Sequence, residues 1–308
     1  MKILPKFSPR LLLLSLLGLM QIFVCAEFAK AAEIRVVDDL GKTVVLKQPA
    51  QRVISLAPHV TELIYAVGGG DKIVGTVKYS DYPKAAQGIP RIGDNRLIDI
   101  ERILAMKPDL LIVWMHGAFE QQLDVLRRSG VPFFYSDPQK LSDIPSSLQR
   151  YGQMLGNQAQ AQTEAHRFEQ ALQTLKTTYS NQTPVSVFYQ VWHQPIYTLN
   201  DHHMVSDAIR VCGGRNIFGG LSASAPVVSI EAVLQESPEV ILTGMIKMKS
   251  EEATAKEQGL EQWRAYPLLR AVQNKALIAI DGDLLNRAGP RSIEGAELIC
   301  KALAQVRR

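Results

Sequence analysis

Only three of the 308 residues are cysteine and three are tryptophan, and aromatic side chains make up 7%. So few cysteines exclude the dense cross-linking of a small secreted scaffold. The 21 glycines are far too few for a collagen-like repeat. With 46% hydrophobic and 21% charged residues the chain is also too apolar for wholesale disorder. Catalytic signatures are missing: there is no GxSxG, no HExxH, no Walker loop, and no GxGxxG after a strand. Gly68-Gly69-Gly70 follows a helical pattern and reads as a helix stop.

Charge of one sign is scarce as well, with 34 Lys and Arg against 30 Asp and Glu. Even this small excess belongs to the start of the chain. Lys2, Lys6 and Arg10 precede the apolar run Leu11–Val24, and Ala29-Lys-Ala31 supplies the small-x-small pattern of a signal-peptidase site. Residues 1–31 therefore read as a cleavable secretory signal. The run is interrupted by Ser15, Gly18 and Gln21 and falls short of the ~20 residues a membrane span needs. Cys25 follows Val24, not the small residue expected before a lipidated cysteine. Cleavage removes four basic residues and one acid, leaving 30 against 29 in a mature chain of 277. No basic patch remains to suggest nucleic acid. Cys212 and Cys300 remain, in an oxidising setting that admits one pairing between them, with two buried thiols as the alternative.

In the mature chain, Ile34–Leu46 alternates around Asp39-Leu-Gly41 as a small hairpin. Short apolar runs then alternate with helical patterns. Strands are predicted at Val53–Ala57, Ile73–Val77, Leu110–Trp114 and Pro132–Tyr135, and helices at Pro58–Val67, Ile100–Met106 and Phe119–Ser129. From Ile144 to Tyr179 strand signals vanish, and Ala165, Phe168, Ala171, Leu172 and Leu175 fall at helical spacing. The alternation resumes at Val185–Val191, Val240–Thr243 and Leu277–Ile280 and closes with a helix over Ser292–Val306. The expected fold is α/β, with two Rossmann-like lobes of parallel sheet joined by a long connecting helix. The expected divisions are a lobe over residues 32–143, a helical linker over 144–183 and a second lobe over 184–308.

Two lobes on one stiff connector leave a cleft, a common small-molecule site. Ligands of α/β sheets bind outside the carboxyl ends of the strands. Those positions hold Pro58-His59, Tyr79-Ser-Asp-Tyr82, Trp114-Met-His116, Val191-Trp-His193 and Asp283–Arg287, a set suited to a large, partly apolar, amide-rich ligand. Trp114 could equally be core packing, and Asp283 and Arg287 a helix cap or a surface pair. Adjacent His202 and His203 read as a surface pair, and His59, His116 and His193 as a possible cluster across the cleft.

Several segments carry a family likeness over nearly all of the mature chain. They are Val53-Ile-Ser-Leu-Ala-Pro58 with Thr61-Glu-Leu63, Tyr79-Ser-Asp-Tyr-Pro83, Glu101-Arg-Ile-Leu-Ala-Met-Lys-Pro-Asp-Leu110, Val211-Cys-Gly-Gly-Arg-Asn-Ile-Phe218, Val228-Ser-Ile-Glu231, and Asp283-Leu-Leu-Asn-Arg287 with Pro290-Arg291. In these the chain resembles the periplasmic cobalamin-binding component of ABC importers, the BtuF family of class III periplasmic binding proteins. The resemblance implies no catalysis and no resident cofactor or metal, cobalamin being the transported ligand. It implies a monomer whose partners are a corrinoid and an inner-membrane ABC permease with its ATPase.

Carried over, Tyr79 and Trp114 would pack on the corrin, and Asp283 and Arg287 would hydrogen-bond its amides. Cys212 and Cys300 would form the family disulfide. Glu101 and Glu231, one at the start of a short helix in each lobe, would dock on permease arginines; simple helix-dipole compensation is the plainer reading. Two cleft positions that are tryptophan in the best-known member of that family stand here as Asn95 and Ala225. Trp192 and His193 are expected to join the ligand set instead, His193 covering a corrin face without ligating cobalt. Haem or a ferric siderophore is the alternative ligand, with Tyr82 or His59 on the iron. A metal-dependent exported enzyme is the alternative of another class.

Overall fold

The computed structural model describes residues 33–114, 120–245 and 259–307. The expected leader with Cys25, and also His116, lie outside these residues. The chain opens with an antiparallel hairpin of β1 (Ile34–Val37) and β2 (Thr43–Leu46), closed by Asp38, whose carboxylate accepts from the Leu40 and Lys42 amides. The first lobe follows as β3 (Val53–Ser55), α1 (Pro58–Ala66), β4 (Ile73–Thr76), α2 (Ile100–Ala105), β5 (Leu110–Val113), α3 (Glu120–Arg128) and β6 (Phe133–Tyr135). Two helices, α4 (Asp143–Leu155) and α5 (Gln158–Tyr179), then leave the sheet. The second lobe contains β7 (Val185–Gln190), a hairpin of β8 (Trp192–His193) and β9 (Ile196–Tyr197), α6 (Met204–Val211), β10 (Gly214–Asn216), α7 (Ile230–Glu236) and β11 (Val240–Met245). After it come α8 (Arg270–Gln273), β12 (Leu277–Asp281), α9 (Gly282–Asn286) and α10 (Ser292–Val306).

Each lobe has a four-stranded, all-parallel sheet, ordered β4-β3-β5-β6 in the first and β10-β7-β11-β12 in the second. In both, the lobe's second strand lies outside its first, and the third and fourth follow on the other side. The expected α/β fold of two lobes is therefore the observed one. The expected limits run one or two residues long in β3 to β7 and one or two short in β11 and β12; Ala57, for example, has already left β3 to precede α1.

Side-chain alternation along the strands divides the core. Val53, Leu110, Ile112, Val240 and Leu242 face a cluster that also takes in Leu148 and Met154 of α4, Phe168 and Leu172 of α5, and Ile299 and Leu303 of α10. Ile54, Leu111 and Val113 face a separate cluster of the first lobe, and Phe188 and Ile241 one of the second, with Trp263. The period of two in an extended chain sends neighbours to opposite faces, so each sheet is buried on both. One continuous apolar cluster thus runs from lobe to lobe through the helices, which makes the connector part of the core and stiffens it.

Local devices fix the elements that carry the site. Pro58 occupies the first turn of α1, where a missing amide costs nothing. Buried hydroxyls of Ser55, Thr61 and Thr76 link β3, α1 and β4 at 2.7 and 2.9 Å. Gly68, at φ +75°, ends α1 as expected, and the Gly69 amide reaches back to the Ile64 carbonyl. Asp99 and Ser229 cap α2 and α7 through the Arg102 and Ala232 amides. In the second lobe, Cys212 at the end of α6 is disulfide-bonded to Cys300 in α10, and both are fully buried.

Candidate ligand-binding site

A cavity of about 540 Å³ lies between the lobes. Its first-lobe wall comes from the carboxyl ends of all four strands: Leu56–His59 after β3, Val77–Tyr79 after β4, Trp114 after β5 and Asp137–Gln139 after β6. Its second-lobe wall holds Leu199, the start of α6 with His202–Met204, Ser224 and Ala225, and the end of α9 with the turn after it, Leu285 to Ala288. The volume is in the range of small-molecule sites, roughly 300–1,000 Å³.

Tyr79 projects from a left-handed backbone, φ 68°, and stays 62% exposed with the Lys78 ammonium 5.0 Å from its ring centroid. A non-glycine residue in that region is strained, a feature that concentrates at functional sites. The Trp114 indole donates to Asp137 Oδ1 at 3.1 Å and meets the His59 ring edge-on at 6.0 Å. Gln139 donates to the other oxygen of Asp137. His59 is 6% exposed, and its Nε2 has no hydrogen-bond partner. Burial lowers its pKa to about 4, against the opposing pull of the Ser136 backbone and the Asp137 charge, so the ring is neutral at neutral pH.

From the second lobe, Tyr189 of β7 donates to Asn286 at 2.8 Å, securing the residue beside Arg287. Asp281 caps α9 through the Asp283 amide. Arg287 is the centre of an ion cluster that crosses between the lobes. Its Nη1 donates to Glu62 Oε1 at 3.0 Å and Asp81 Oδ1 at 2.9 Å, and its Nη2 pairs with Asp283 at 2.9 Å. Arg291 grips Glu62 with two bonds of 2.8 and 2.7 Å, and its guanidinium lies 3.8 Å over the Tyr82 ring. The Glu62 side chain is only 2% exposed. Burial pulls the Arg287 pKa down, but its bond to Glu62, the charge of Asp283 and its bond to Asp81 outweigh this and raise it. Burial pushes the Asp283 carboxyl above its ordinary value; Arg287 opposes the shift, and Asp81 and Asp281 reinforce it.

The expected residues therefore divide. Tyr79, Trp114 and Arg287 line one cavity, and Asp283 is held beside it through Arg287. Asn95 and Ala225, the positions noted above for lacking tryptophan, line it too. Trp192 and His193 do not line it. They form the short strand β8, with Trp192 48% exposed and donating to the Gln194 carbonyl, and with His193 against Gly259, so pairing to β9 commits this segment to its own hairpin. The expected cluster of His59 with His193 is likewise not formed at the cavity.

His202 is exposed and His203 half-buried, as a surface pair would be, and both also stand on the cavity wall. His203 is placed there by its cap on α6, where Nδ1 accepts from the Val205 amide. Glu62 and Asp137 were missed; the one signal was an acid among the apolar residues Val60, Leu63 and Ile64 of α1. Glu101 and Glu231 are exposed at the first turns of α2 and α7, one in each lobe. The Glu231 carboxyl is held below its ordinary value, first by its own backbone amide and then by the Ser229 hydroxyl.

Two like-ordered parallel sheets, a helical connector in the shared core and a cavity at the strand ends define a bilobal solute-binding protein. The chain belongs to the periplasmic binding protein family, whose family model matches residues 53–284. Within that family it groups with the vitamin B12-binding proteins. It is 40% identical over 255 residues to the Vitamin B12-binding protein of Vibrio cholerae serotype O1, covering 83% of this chain and 90% of the relative. The crystal structure of the periplasmic vitamin B12 binding protein BtuF of Vibrio cholerae matches at a TM-score of 0.77 and 39% identity, over 84% of this chain and 99% of that one. The periplasmic heme-binding protein RhuT from Roseiflexus sp. RS-1 shares the fold at a TM-score of 0.71, with 23% identity over 84% of this chain and 100% of its own.

Proposed function

We propose that the protein is exported to the periplasm by a cleaved leader, captures cobalamin or a close corrinoid between its lobes, and delivers it to an inner-membrane ABC importer without catalysis. The observation that carries this reading is the cavity itself, with an aromatic wall on one lobe and hydrogen-bonding groups on the other. It is supported by 40% identity to a protein named for vitamin B12 binding. Tyr79 and Trp114 cover the corrin from the first lobe, at about 25 cal/mol per Å² of apolar surface removed from water. Arg287 and Asp283 bring donors and acceptors to the peripheral amides from the second.

Glu101 and Glu231 form a two-point docking code for permease arginines. Exposed acids at two helix N-termini, one per lobe, suit the recognition of separated positive groups. Titration of the purified protein with cyanocobalamin and with haemin, followed by absorbance and calorimetry, tests the ligand: heat with the corrinoid is expected, and haemin binding in its place defeats the reading. The double variant Glu101→Ala, Glu231→Ala is expected to bind cyanocobalamin normally and to lose transport. Intact transport by that variant defeats the docking role.

A further inference from the structure

We infer that the inter-lobe ion cluster makes the cavity selective for neutral, amide-bearing tetrapyrroles against anionic ones, and that Glu62 is the positioning residue that sets this selectivity. The inference rests on the corrinoid reading above and extends it to the charge of the ligand's periphery.

Arg287 is the one guanidinium among the residues lining the cavity. An arginine in a cleft is ordinarily a bidentate receptor for carboxylates. Here three of its five N–H donors are engaged by carboxylates of the protein itself, Nη1 with Glu62 and Asp81 and Nη2 with Asp283. Arg291 is committed to Glu62 through both of its bonds to that carboxylate and lies on Tyr82. The cluster therefore holds three carboxylates against two guanidiniums and is net negative. On the remaining wall, Lys78 and Asp137 carry opposite charges.

A ligand carboxylate entering this site meets a guanidinium whose charge three carboxylates already offset, and a like-signed field. A primary amide meets the opposite. Asp81 and Asp283, with side chains 51% and 39% exposed, keep carboxylate lone pairs available to its N–H. Corrinoids carry neutral amides around the ring, whereas haem carries ionised propionates, so the charge of the cluster separates the two classes.

Glu62 is the lever because it comes from the opposite lobe, is buried, and touches both arginines. Replacing it by Gln keeps the shape, removes the charge that tips the balance, and releases guanidinium donors toward the cavity. Discrimination of this kind is built as much from repulsion of the wrong ligand as from attraction of the right one.

The test is a set of titrations of the purified protein with cyanocobalamin, with cyanocobalamin whose peripheral amides have been hydrolysed to carboxylates, and with haemin. The wild type is expected to prefer the intact corrinoid by about 100-fold, the scale of like-charge rejection in a desolvated site. Glu62→Gln is expected to narrow that preference by about tenfold through gained affinity for the carboxylate form. Asp81→Asn, at a half-exposed position that folding tolerates, is expected to shift the ratio in the same direction and decides the matter if Glu62→Gln fails to fold by circular dichroism. Equal wild-type affinity for intact and hydrolysed corrinoid overturns the selectivity alone. Variants that weaken both corrinoids by one common factor overturn it too. Haemin bound in place of cyanocobalamin overturns the selectivity and the corrinoid reading together.

Discussion

The two lobes share a strand order but not a division of labour. The first lobe builds its share of the cavity directly on strand ends, so Tyr79, Trp114 and His59 are held by a rigid sheet within one or a few residues of regular structure. The second lobe inserts the β8–β9 hairpin after its first strand and reaches the cavity through α6 and the turn after α9. The Tyr79 and Trp114 rings therefore come from the lobe whose strands end at the cleft, and Asn286 and Arg287 from the lobe that reaches it by helix ends and turns. The second lobe alone is cross-linked, through Cys212 and Cys300. The first is stitched by buried hydroxyls and by the neutral His59 under its ligand wall.

The contrast can be broken most forcefully at the disulfide. Cys300→Ser opens a loop spanning 88 residues of sequence separation and is expected to lower unfolding free energy by up to ~4–5 kcal/mol. Denaturant melts with and without reductant check this. Because one apolar cluster runs through both lobes, the loss should appear as a single earlier transition. A separate early transition, leaving a first-lobe transition in place, would show that the shared core does not couple the lobes.

The next effect belongs to the first lobe. His59 has a folded pKa near 4, well below its ordinary 6.5. The unfolded chain takes up a proton first on acidification, so this contribution to stability is present above pH 6.5 and is lost as pH falls toward about 4. The loss is on the order of 3 kcal/mol. Urea midpoints measured at about pH 7 and 4.5 should diverge in the wild type, and His59→Gln should flatten that difference. Equal slopes in the two proteins would exclude His59 as the group responsible.

The smallest effects sharpen the split between rings and polar groups. Trp114→Ala is expected to weaken cyanocobalamin binding by about 1.5–3 kcal/mol, the worth of a buried aromatic surface. Asp283→Ala is expected to cost only about 0.5–1.5 kcal/mol, the net worth of a hydrogen bond exchanged with water. Calorimetric affinities of the two variants give the comparison. A larger loss at Asp283 than at Trp114 would reverse the assignment of roles.

Much of the fold was legible because the signals are local. Apolar runs of strand length set β3, β5, β7 and β11 to within a residue or two, and Gly156, in a left-handed conformation, separates the two linker helices. Strand-end chemistry also identified Tyr79, Trp114 and Arg287 as neighbours of one cleft. Trp192 and His193 misled because an aromatic pair after β7 looks the same in sequence whether it turns into the cleft or pairs in a hairpin with Ile196 and Tyr197. The capping role of His203 was not legible because a histidine serving as a helix cap cannot be told from a solvated one until the amide it accepts from is known.

The sequence by itself determined the alternation of strand and helix and the near balance of 34 basic against 30 acidic residues, since each depends on composition or on residues close along the chain. Only the tertiary structure decided that Glu62 and Asp81 meet Arg287 and Arg291 across 206 to 229 residues of sequence, and that Trp192 and His193 stand outside the cavity. Periodicity encodes which face of an element is buried, but it carries no information about which distant element supplies the opposing charge. That is settled by how the two sheets pack on their shared helices.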